Sequence, residues 1–395
     1  MGPYTILIGL SIAVILSYLF DLAARATKVP SVLMLLLTGI ALRQAADYTD
    51  AVIRIPPVVL QLFGIIGLIM IVLEGAMDLK LSRDKAPLIR RSFLAASLML
   101  VVQAGAIALL LHAYVGAPLQ TCLVNAVPLA VISSAIAIPS VANLLGEKQE
   151  FIVYESTFSD ILGIMFFNFA LQDDFAQGIS VITFSRDVVA VALVAVVSTA
   201  VLAFLLDRIR LHIKFFLIFA FLILIYSLAK KLHLSSLLVV LVFGLAVNNA
   251  ELFLKGPLQR WFRPERLAGE LHQFKSITAE SAFLIRTFFF LLFGFSITIS
   301  SLISVTLLVQ GLLIVAVLTL IRYLYLRFVA RTSLIPELFI APKGLITILL
   351  FYSIPPQHSI GEVSENILFI VILLTGILMM IGLLLAREEP ELGEY

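Results

Sequence analysis

Charged residues and cysteines are both scarce in this chain of 395 residues. Asp, Glu, Lys and Arg occupy 13% of the positions, against about 25% in soluble domains. The single cysteine, Cys122, excludes a disulfide within the chain and a zinc site made of cysteines. The formal net charge is only +2 and the basic residues are scattered, which argues against a nucleic-acid partner.

Apolar residues, by contrast, are abundant. They make up 61% of the chain, more than a soluble core can bury, whereas a lipid bilayer can solvate them. Each helical crossing of a bilayer needs about 20 residues, and thirteen apolar runs lie between polar breaks. We therefore predict an all-α polytopic membrane protein with about 13 transmembrane helices. The runs are centred near Ile12, Leu36, Ile66, Val102, Ser134, Leu162, Val196, Leu222, Val242, Phe289, Val315, Leu345 and Leu374.

The basic residues fall mainly on one side of the predicted membrane. When the runs alternate in direction, one set of loops holds most of them, from Arg25 and Lys28 to Arg387. Because positive loops stay in the cytoplasm, we place the N-terminus outside a cell (plasma or inner) membrane and the C-terminus inside. The opposite set of loops holds only Arg43, Arg54, Arg186, Lys230 and Lys231.

Two of the apolar runs are interrupted. The fifth, at 127–140, and the twelfth, at 335–347, each contain two prolines. Broken apolar segments at corresponding places in two halves of a chain indicate a transporter binding site. The alternative is a pair of proline-kinked packing helices. The residues expected at the resulting crossover are Ser133, Ser134, Ala135 and Lys343.

The correspondence of the two broken runs also predicts the domain organisation. We expect one transmembrane domain, residues 1–390, built from two inverted six-helix repeats with two discontinuous crossing helices. The repeats would cover about 1–172 and about 211–386, joined by a linking helix at about 187–206. Residues 387–395 would form a short cytoplasmic tail.

Five ionisable residues lie within the predicted spans. A charge at mid-span costs at least about 2.5–3.5 kcal/mol, so each of them requires a role. Three acids and two bases suggest two ion pairs and one acid left over. The five are Glu74, Glu155, Asp160, Arg322 and Lys343.

Asp160 is the acid that we expect to remain unpaired. Ser156 lies four residues before it on the same helical face, with Ser159 to one side, whereas Glu155 lies about 140° away. An Asp beside hydroxyl groups and broken-helix carbonyls resembles a site for a hard monovalent cation, which takes oxygen ligands. One carboxylate that holds either a proton or a cation is itself a mechanism for exchange. The alternative is that Asp160 pairs with Arg322 or Lys343.

The other intramembrane charges have simpler interpretations. A Glu155–Arg322 bridge would neutralise both groups, although Arg322 could instead extend towards the interface. Lys343 could compensate the C-terminal dipole of a half-helix. Glu74 is either a remote cation ligand or the inner end of a span. Arg286 would pair with Glu280 at the cytoplasmic side or, more simply, anchor the interface.

Together these residues resemble the monovalent cation:proton antiporter superfamily, in its sodium/proton exchanger branch, with some potassium-efflux-like features. The resemblance spans most of the chain. It rests on Glu155–Asp160 for the family's Glu-Ser-x-x-Asn-Asp motif, Glu74–Ala76 for its acidic-Gly-small motif, Phe289–Ile297 for its Phe-rich Gly-Leu-Ser-Ile stretch, Arg322, Lys343-Gly344 for Arg-Gly, and Ser133–Ala135 for its Ser-Ser-Thr crossover.

The resemblance implies a homodimer of the thirteen-span inverted-repeat fold with an elevator-like motion. It implies that Asp160 carries cation and proton in turn, that Ser156 and Glu74 assist coordination, and that Glu155 and Arg322 form a stabilising bridge. Ser159, where two-carboxylate relatives have Asp, implies electroneutral exchange. Three features depart from the family pattern: Ser159 replaces Asn, Lys343 replaces Arg, and the fifth run lacks a Thr-Asp pair, reading Ala135-Ile136-Ala137 nearby.

We therefore expect a secondary transporter that exchanges Na⁺, or else K⁺ or Li⁺, for H⁺ without a cofactor. The alternative is a degenerate antiporter-fold protein that acts as a sensor or a channel-like component. An intramembrane enzyme is not favoured, because the sequence has no His-Glu-x-x-His and no Gly-x-Ser-x-Gly.

Overall fold

A computed structural model of the chain describes most of the predicted spans. It covers residues 3–49, 57–78, 84–172 except 142, 143 and 145, eight positions between 186 and 201, 215–231, 236–248, 264–297, and 304–386 except 333, 362 and 364. Within these residues the regular structure is helical throughout, without a β-strand. This agrees with the predicted all-α class.

The α-helices are numbered here in chain order. α11 continues into a π-helical turn at Tyr325–Ala330, and a 3₁₀ turn at Pro356–His358 follows α12. The α-helices are α1 Pro3–Thr27, α2 Ser31–Tyr48, α3 Pro57–Asp78, α4 Ala86–Val115, α5 Leu119–Ala130, α6 Ser134–Ser140, α7 Glu147–Ala170, α8 Phe215–Lys231, α9 Ser236–Asn248, α10 Pro264–Ser296, α11 Val305–Leu324, α12 Leu345–Tyr352 and α13 Glu365–Leu385.

The predicted apolar runs coincide with these helices. Twelve of the thirteen centres lie in a helix or at its first residue, and the remaining centre, Val196, lies outside the described residues. Most of the predicted linking helix and the tail 387–395 lie outside them too. Six described segments are long and apolar enough to cross a membrane: Leu7–Ala24, Ala86–Val115, Leu119–Ser140, Gln273–Ser296, Val305–Ala330 and Glu365–Leu385. The protein is therefore an integral multi-pass membrane protein, and the exact number of crossings stays a prediction.

The chain divides into two compact units. The first comprises residues 1–60, 87–163 and 286–395, and the second comprises 61–86 and 164–285. The second unit includes α3, α8 and α9, with Gly244 of α9 against α3. A Cβ built on Gly244 would lie 2.6 Å from the Cβ of Ala76, so glycine permits this close packing.

The first unit contains the broken helices and their supports. Gly39 of α2 faces Gly294 of α10 so closely that a Cβ on Gly39 would lie 2.9 Å from the backbone nitrogen of Phe295. A hydrogen bond of 2.6 Å between the hydroxyls of Ser17 and Thr287 also links α1 to α10. Small and hydroxyl residues thus provide the helix contacts, as is usual in lipid, where burial of apolar side chains does not drive association.

Candidate cation site at the helix crossover

Two interrupted helices meet in the first unit. Residues 131–133 are extended and separate α5 from α6, and a second non-helical stretch, ending at Gly344, precedes α12. The backbone N–H of Ser133 donates to the carbonyl of Pro342 at 2.9 Å. A Cβ on Gly344 would lie 2.7 Å from Ser133 Oγ, so a larger residue would push the two stretches apart. The two proline-bearing segments therefore form a crossover.

The side chain of Lys343 reaches the end of α5, the first half of the broken fifth run. Its Nζ donates to the carbonyl of Ala130, the last residue of α5, at 2.8 Å. Its backbone N–H donates to Thr375 Oγ1 at 3.1 Å. The side chain is almost completely buried. Its charge faces the negative end of the α5 dipole and satisfies a carbonyl that the break leaves without a helical partner.

The carboxylate of Asp160, on α7, lies at the start of α6, the second half of the broken fifth run. Its Oδ2 accepts hydrogen bonds from the N–H of Ser134 at 3.1 Å and from the hydroxyl of Ser134 at 2.5 Å. Ser134 is the first residue of α6, so a negative charge faces the positive end of this helix. The crossover thus places an acid at one half-helix end and a base at another.

The second carboxylate oxygen of Asp160 is different. Among the described residues, neither Asp160 Oδ1 nor the hydroxyl of Ser133 has a hydrogen-bond partner, although both atoms are buried. Buried polar atoms in proteins are nearly always paired. Buried oxygens that lack a protein partner are suited to a hard cation or, in the case of the carboxylate, to a proton.

The two predicted serine ligands on α7 bind backbone groups. Ser159 Oγ accepts the N–H of Ile132 at 2.9 Å, which connects α7 to the extended stretch after α5. Ser156 Oγ donates to the carbonyl of Ile152, one turn earlier in α7, at 2.8 Å. Each hydroxyl oxygen has two lone pairs and so retains acceptor capacity. The sequence did not indicate that Ser134, on another helix, would be the serine that binds Asp160.

Glu155 is in contact with Arg322 of α11. Two hydrogen bonds join Oε1 to Nη1 at 2.9 Å and Oε2 to Nη2 at 2.8 Å. Arg322 Nε donates to the carbonyl of Glu337 at 2.7 Å. Both side chains of the pair are 1% exposed. This bidentate geometry satisfies both carboxylate oxygens and neutralises both charges.

Glu74 and Arg286 complete the predicted charges. Glu74 is half-buried on α3 in the second unit, and its role as a cation ligand stays a prediction. Arg286 Nη1 donates to the carbonyl of Ala135 at 2.9 Å, so this side chain belongs to the crossover. The sequence alone predicted only a place at the cytoplasmic side or the interface for Arg286. The signal that could have indicated this contact is Pro139, which deprives the carbonyl of its helical partner.

A cavity of about 100 Å³ adjoins α6. Asp21, Lys28 and Ser31 line one side of it, and Ala135 and Pro139 line the other. A single water needs about 10–15 Å³ of such space, so the cavity has room for several waters or for a hydrated ion. The cavity therefore places polar side chains next to Ala135, the residue that follows Ser134.

The sequence matches a family model described as sodium/hydrogen exchanger, transmembrane, over residues 10–386. The chain belongs to the sodium/hydrogen exchanger family. This confirms the resemblance on which the predicted motifs converged. The comparison with curated proteins found no match to the sequence.

Solved structures match this chain along nearly its whole length. A structure of the sodium proton antiporter MjNhaP1 from Methanocaldococcus jannaschii at pH 8 has a TM-score of 0.67 at 20% identity, covering 96% of this chain and all of that one. An electron-microscopy structure of the same antiporter gives 0.68 at 19% identity, covering 98% and 96%. At this identity the likeness establishes that the chain has the antiporter fold.

Two of the departures from the motifs of the resemblance, Ser159 and Lys343, make hydrogen bonds within the crossover. Ser159 stands where the family has Asn, and its hydroxyl binds the backbone of the broken helix. Lys343 stands where the family has Arg, and its single ammonium group reaches the Ala130 carbonyl. Both substitutes are therefore integrated into the crossover by hydrogen bonds.

Proposed function

We propose that this protein is a secondary active transporter that exchanges a monovalent cation for H⁺, with Asp160 binding the cation and the proton in turn. The observation that carries the proposal is the asymmetry of its carboxylate. Oδ2 is held by two donors from Ser134, while Oδ1 has no partner among the described residues. An oxygen that takes either a proton or a cation, but not both, couples the two fluxes in opposite directions.

We propose Na⁺ as the preferred cation, with K⁺ and Li⁺ as alternatives. Membership of the sodium/hydrogen exchanger family supports Na⁺. The ligands would be Asp160 Oδ1 and hydroxyl oxygens near it, because alkali ions bind to oxygen. The candidate hydroxyls are those of Ser133, Ser156 and Ser159. Among the described residues, the Ser133 hydroxyl has no hydrogen-bond partner. Glu74 is proposed as a more remote ligand.

We propose one-for-one, electroneutral exchange. Glu155 is neutralised by Arg322 and is therefore not a second carrier. Ser159, next to Asp160, cannot hold a charge. Lys343 is engaged with the Ala130 carbonyl, where its charge balances a helix end. One carboxylate then accounts for one cation or one proton per cycle.

The likeness to the antiporter fold supports the rest of the proposal. It comprises an elevator-type motion, two inverted repeats within one transmembrane domain, and a homodimer in the cell membrane. The N-terminus would be outside and the C-terminus in the cytoplasm, following the distribution of Lys and Arg. The moving part would be the crossover region with Asp160.

A second candidate is a degenerate antiporter that works as a sensor or a channel-like component. One observation favours it: the fifth run lacks the Thr-Asp pair of the motif that it resembles, which removes candidate cation ligands from the crossover.

An ion screen in proteoliposomes tests these proposals. The purified protein would be reconstituted with a pH-sensitive dye inside, and outward Na⁺, Li⁺ or K⁺ gradients would be imposed at clamped membrane potential. We expect saturable acidification of the vesicle interior under the outward Na⁺ gradient, at a rate that does not depend on the clamped potential. No cation-driven proton movement with any of the three ions would refute exchange. Non-saturating flux without proton coupling would favour the channel-like alternative.

A further inference from the structure

One carbonyl in the short helix α6 cannot make its ordinary helical hydrogen bond. In an α-helix each carbonyl accepts the N–H of the residue four positions later. For Ala135 that residue is Pro139, which has no N–H. Arg286 of α10 supplies a donor instead, with Nη1 at 2.9 Å from the Ala135 oxygen. A side chain from another helix thus replaces a missing backbone bond.

This contact lies one residue from the carrier's own hydrogen bonds. Ser134, which precedes Ala135, donates to Asp160 with both its N–H and its hydroxyl. α6 has only seven residues, and so short a helix is not stable through its internal bonds alone. Its position must depend on external contacts such as the one from Arg286.

The helix that carries Arg286 is itself well fixed within the first unit. The next residue, Thr287, shares a hydrogen bond of 2.6 Å with Ser17 of α1. Further along α10, Gly294 lies in close contact with the backbone of α2. The guanidinium is therefore presented to α6 from a supported helix.

We propose that Arg286 is a positioning residue for cation binding. By holding the Ala135 carbonyl it keeps Ser134 where both its donors reach Asp160 Oδ2, so that Oδ1 is left oriented for the cation. The inference rests on the proposed exchange at Asp160. Without Arg286 the half-helix can shift, the donors of Ser134 can move, and part of the cation's binding energy is used to reorder the site.

The charge of Arg286 acts in the opposite direction to its positioning role. A nearby positive charge repels a cation, so removing it would by itself lower KM for the cation. Losing the hydrogen bond to Ala135 would raise KM. Pro139 allows the two effects to be separated, because Pro139→Ala restores an N–H four residues after Ala135 without changing any charge.

The experiment measures KM and maximal rate of Na⁺/H⁺ exchange in proteoliposomes for wild type, R286K, R286M, P139A and the R286M/P139A double variant. We expect R286M to raise KM about tenfold, the worth of one charge-assisted hydrogen bond, with a smaller change in maximal rate. R286K, which retains a donor, should stay near wild type. P139A should lower KM several-fold in the R286M background and change it little in the wild type. If R286M is recovered poorly, R286Q, whose side chain is too short to reach Ala135, takes its place.

Two results would overturn the inference. One is an unchanged or lower KM in R286M that P139A does not lower further. The other is an effect of P139A that is equal in both backgrounds. Stabilisation of the detergent-solubilised protein against thermal unfolding by Na⁺ gives a second readout that needs no transport, with D160N as its baseline. If wild type fails to exchange but this Na⁺ stabilisation follows the expected order of variants, the exchange proposal fails and the positioning role stands. If wild type exchanges and the variants do not follow the order, only the positioning role fails.

Discussion

Two buried acids on α7, five residues apart, have opposite surroundings. Glu155 is 1% exposed, and Arg322 binds both of its oxygens. Asp160 is 8% exposed, and Ser134 binds one of its oxygens while the other has no described partner. The two side chains leave the helix in different directions, because five residues correspond to about 140° of rotation.

The difference is what we would expect if one helix serves both stability and the proposed transport. A buried charge is tolerated when its partner and hydrogen bonds are complete. A carrier requires the reverse, since an acid whose oxygens are all occupied has no place for a proton or a cation. Under the proposed function, the incomplete set of partners at Asp160 is the feature that would allow exchange, and the complete set at Glu155 would hold the helix in place around it.

The largest effect is expected from Asp160→Asn. The amide cannot release a proton and does not balance the charge of a cation, so exchange should fall to the level of empty liposomes. The fold should be retained, because the amide oxygen can still accept hydrogen bonds from Ser134. Dye-based proton flux measures the first expectation, and size-exclusion elution with thermal unfolding measures the second. Measurable Na⁺-driven proton flux in this variant would show that Asp160 is not the carrier.

The next largest effect is expected on stability, from breaking the pair of Glu155 and Arg322. Arg322→Met leaves Glu155 buried without its partner, and the free energy of unfolding should fall by about 3–5 kcal/mol. The double variant Glu155→Gln/Arg322→Gln, which has neither charge, should recover much of that loss. Thermal unfolding in detergent would rank the three proteins. Equal stability of Arg322→Met and wild type would mean that the pair does not hold α7 and α11 together.

A smaller effect, on KM for Na⁺, is expected from substitution of Ser134, which donates hydrogen bonds to Asp160. Ser134→Ala removes the hydroxyl donor from Asp160 Oδ2 but keeps the backbone N–H. KM for Na⁺ should rise about tenfold, as one hydrogen bond to a charged group is lost. Ser156→Ala compares a candidate ligand on α7 with Ser134, and it should change KM less, since the Ser156 hydroxyl donates to its own helix. A larger effect at Ser156 than at Ser134 would reverse the assignment of the two serines.

The sequence predicted the helices and the charges better than it predicted the contacts of the site. Long apolar runs and paired prolines indicate helices and breaks, because each has a local physical cause. Counting three acids against two bases also led to a Glu155–Arg322 bridge, the contact that the structure contains. The contact between Ser134 and Asp160 could not be predicted in this way. Helical periodicity compares residues of one helix, so it selected Ser156, whereas Ser134 comes from a separate half-helix brought close by the crossover.

A third acid, Asp21, provides the smallest and most specific test. It is half-buried and lines the cavity beside α6. It lies near the end of α1 that the distribution of Lys and Arg places on the cytoplasmic side. If exchange depends on Asp160 alone, Asp21 can only attract cations to the cavity. Asp21→Asn should therefore raise KM for Na⁺ by about twofold at low ionic strength. The rise should be smaller at about 0.15 M salt, where interactions between charges more than about 8 Å apart are largely screened. The maximal rate should not change, with Asp47→Asn, whose acid is already paired with Arg43, as the matched control. A fall in the maximal rate would mean that Asp21 takes part in the exchange cycle itself, and the contrast between Glu155 and Asp160 would then describe only part of the mechanism.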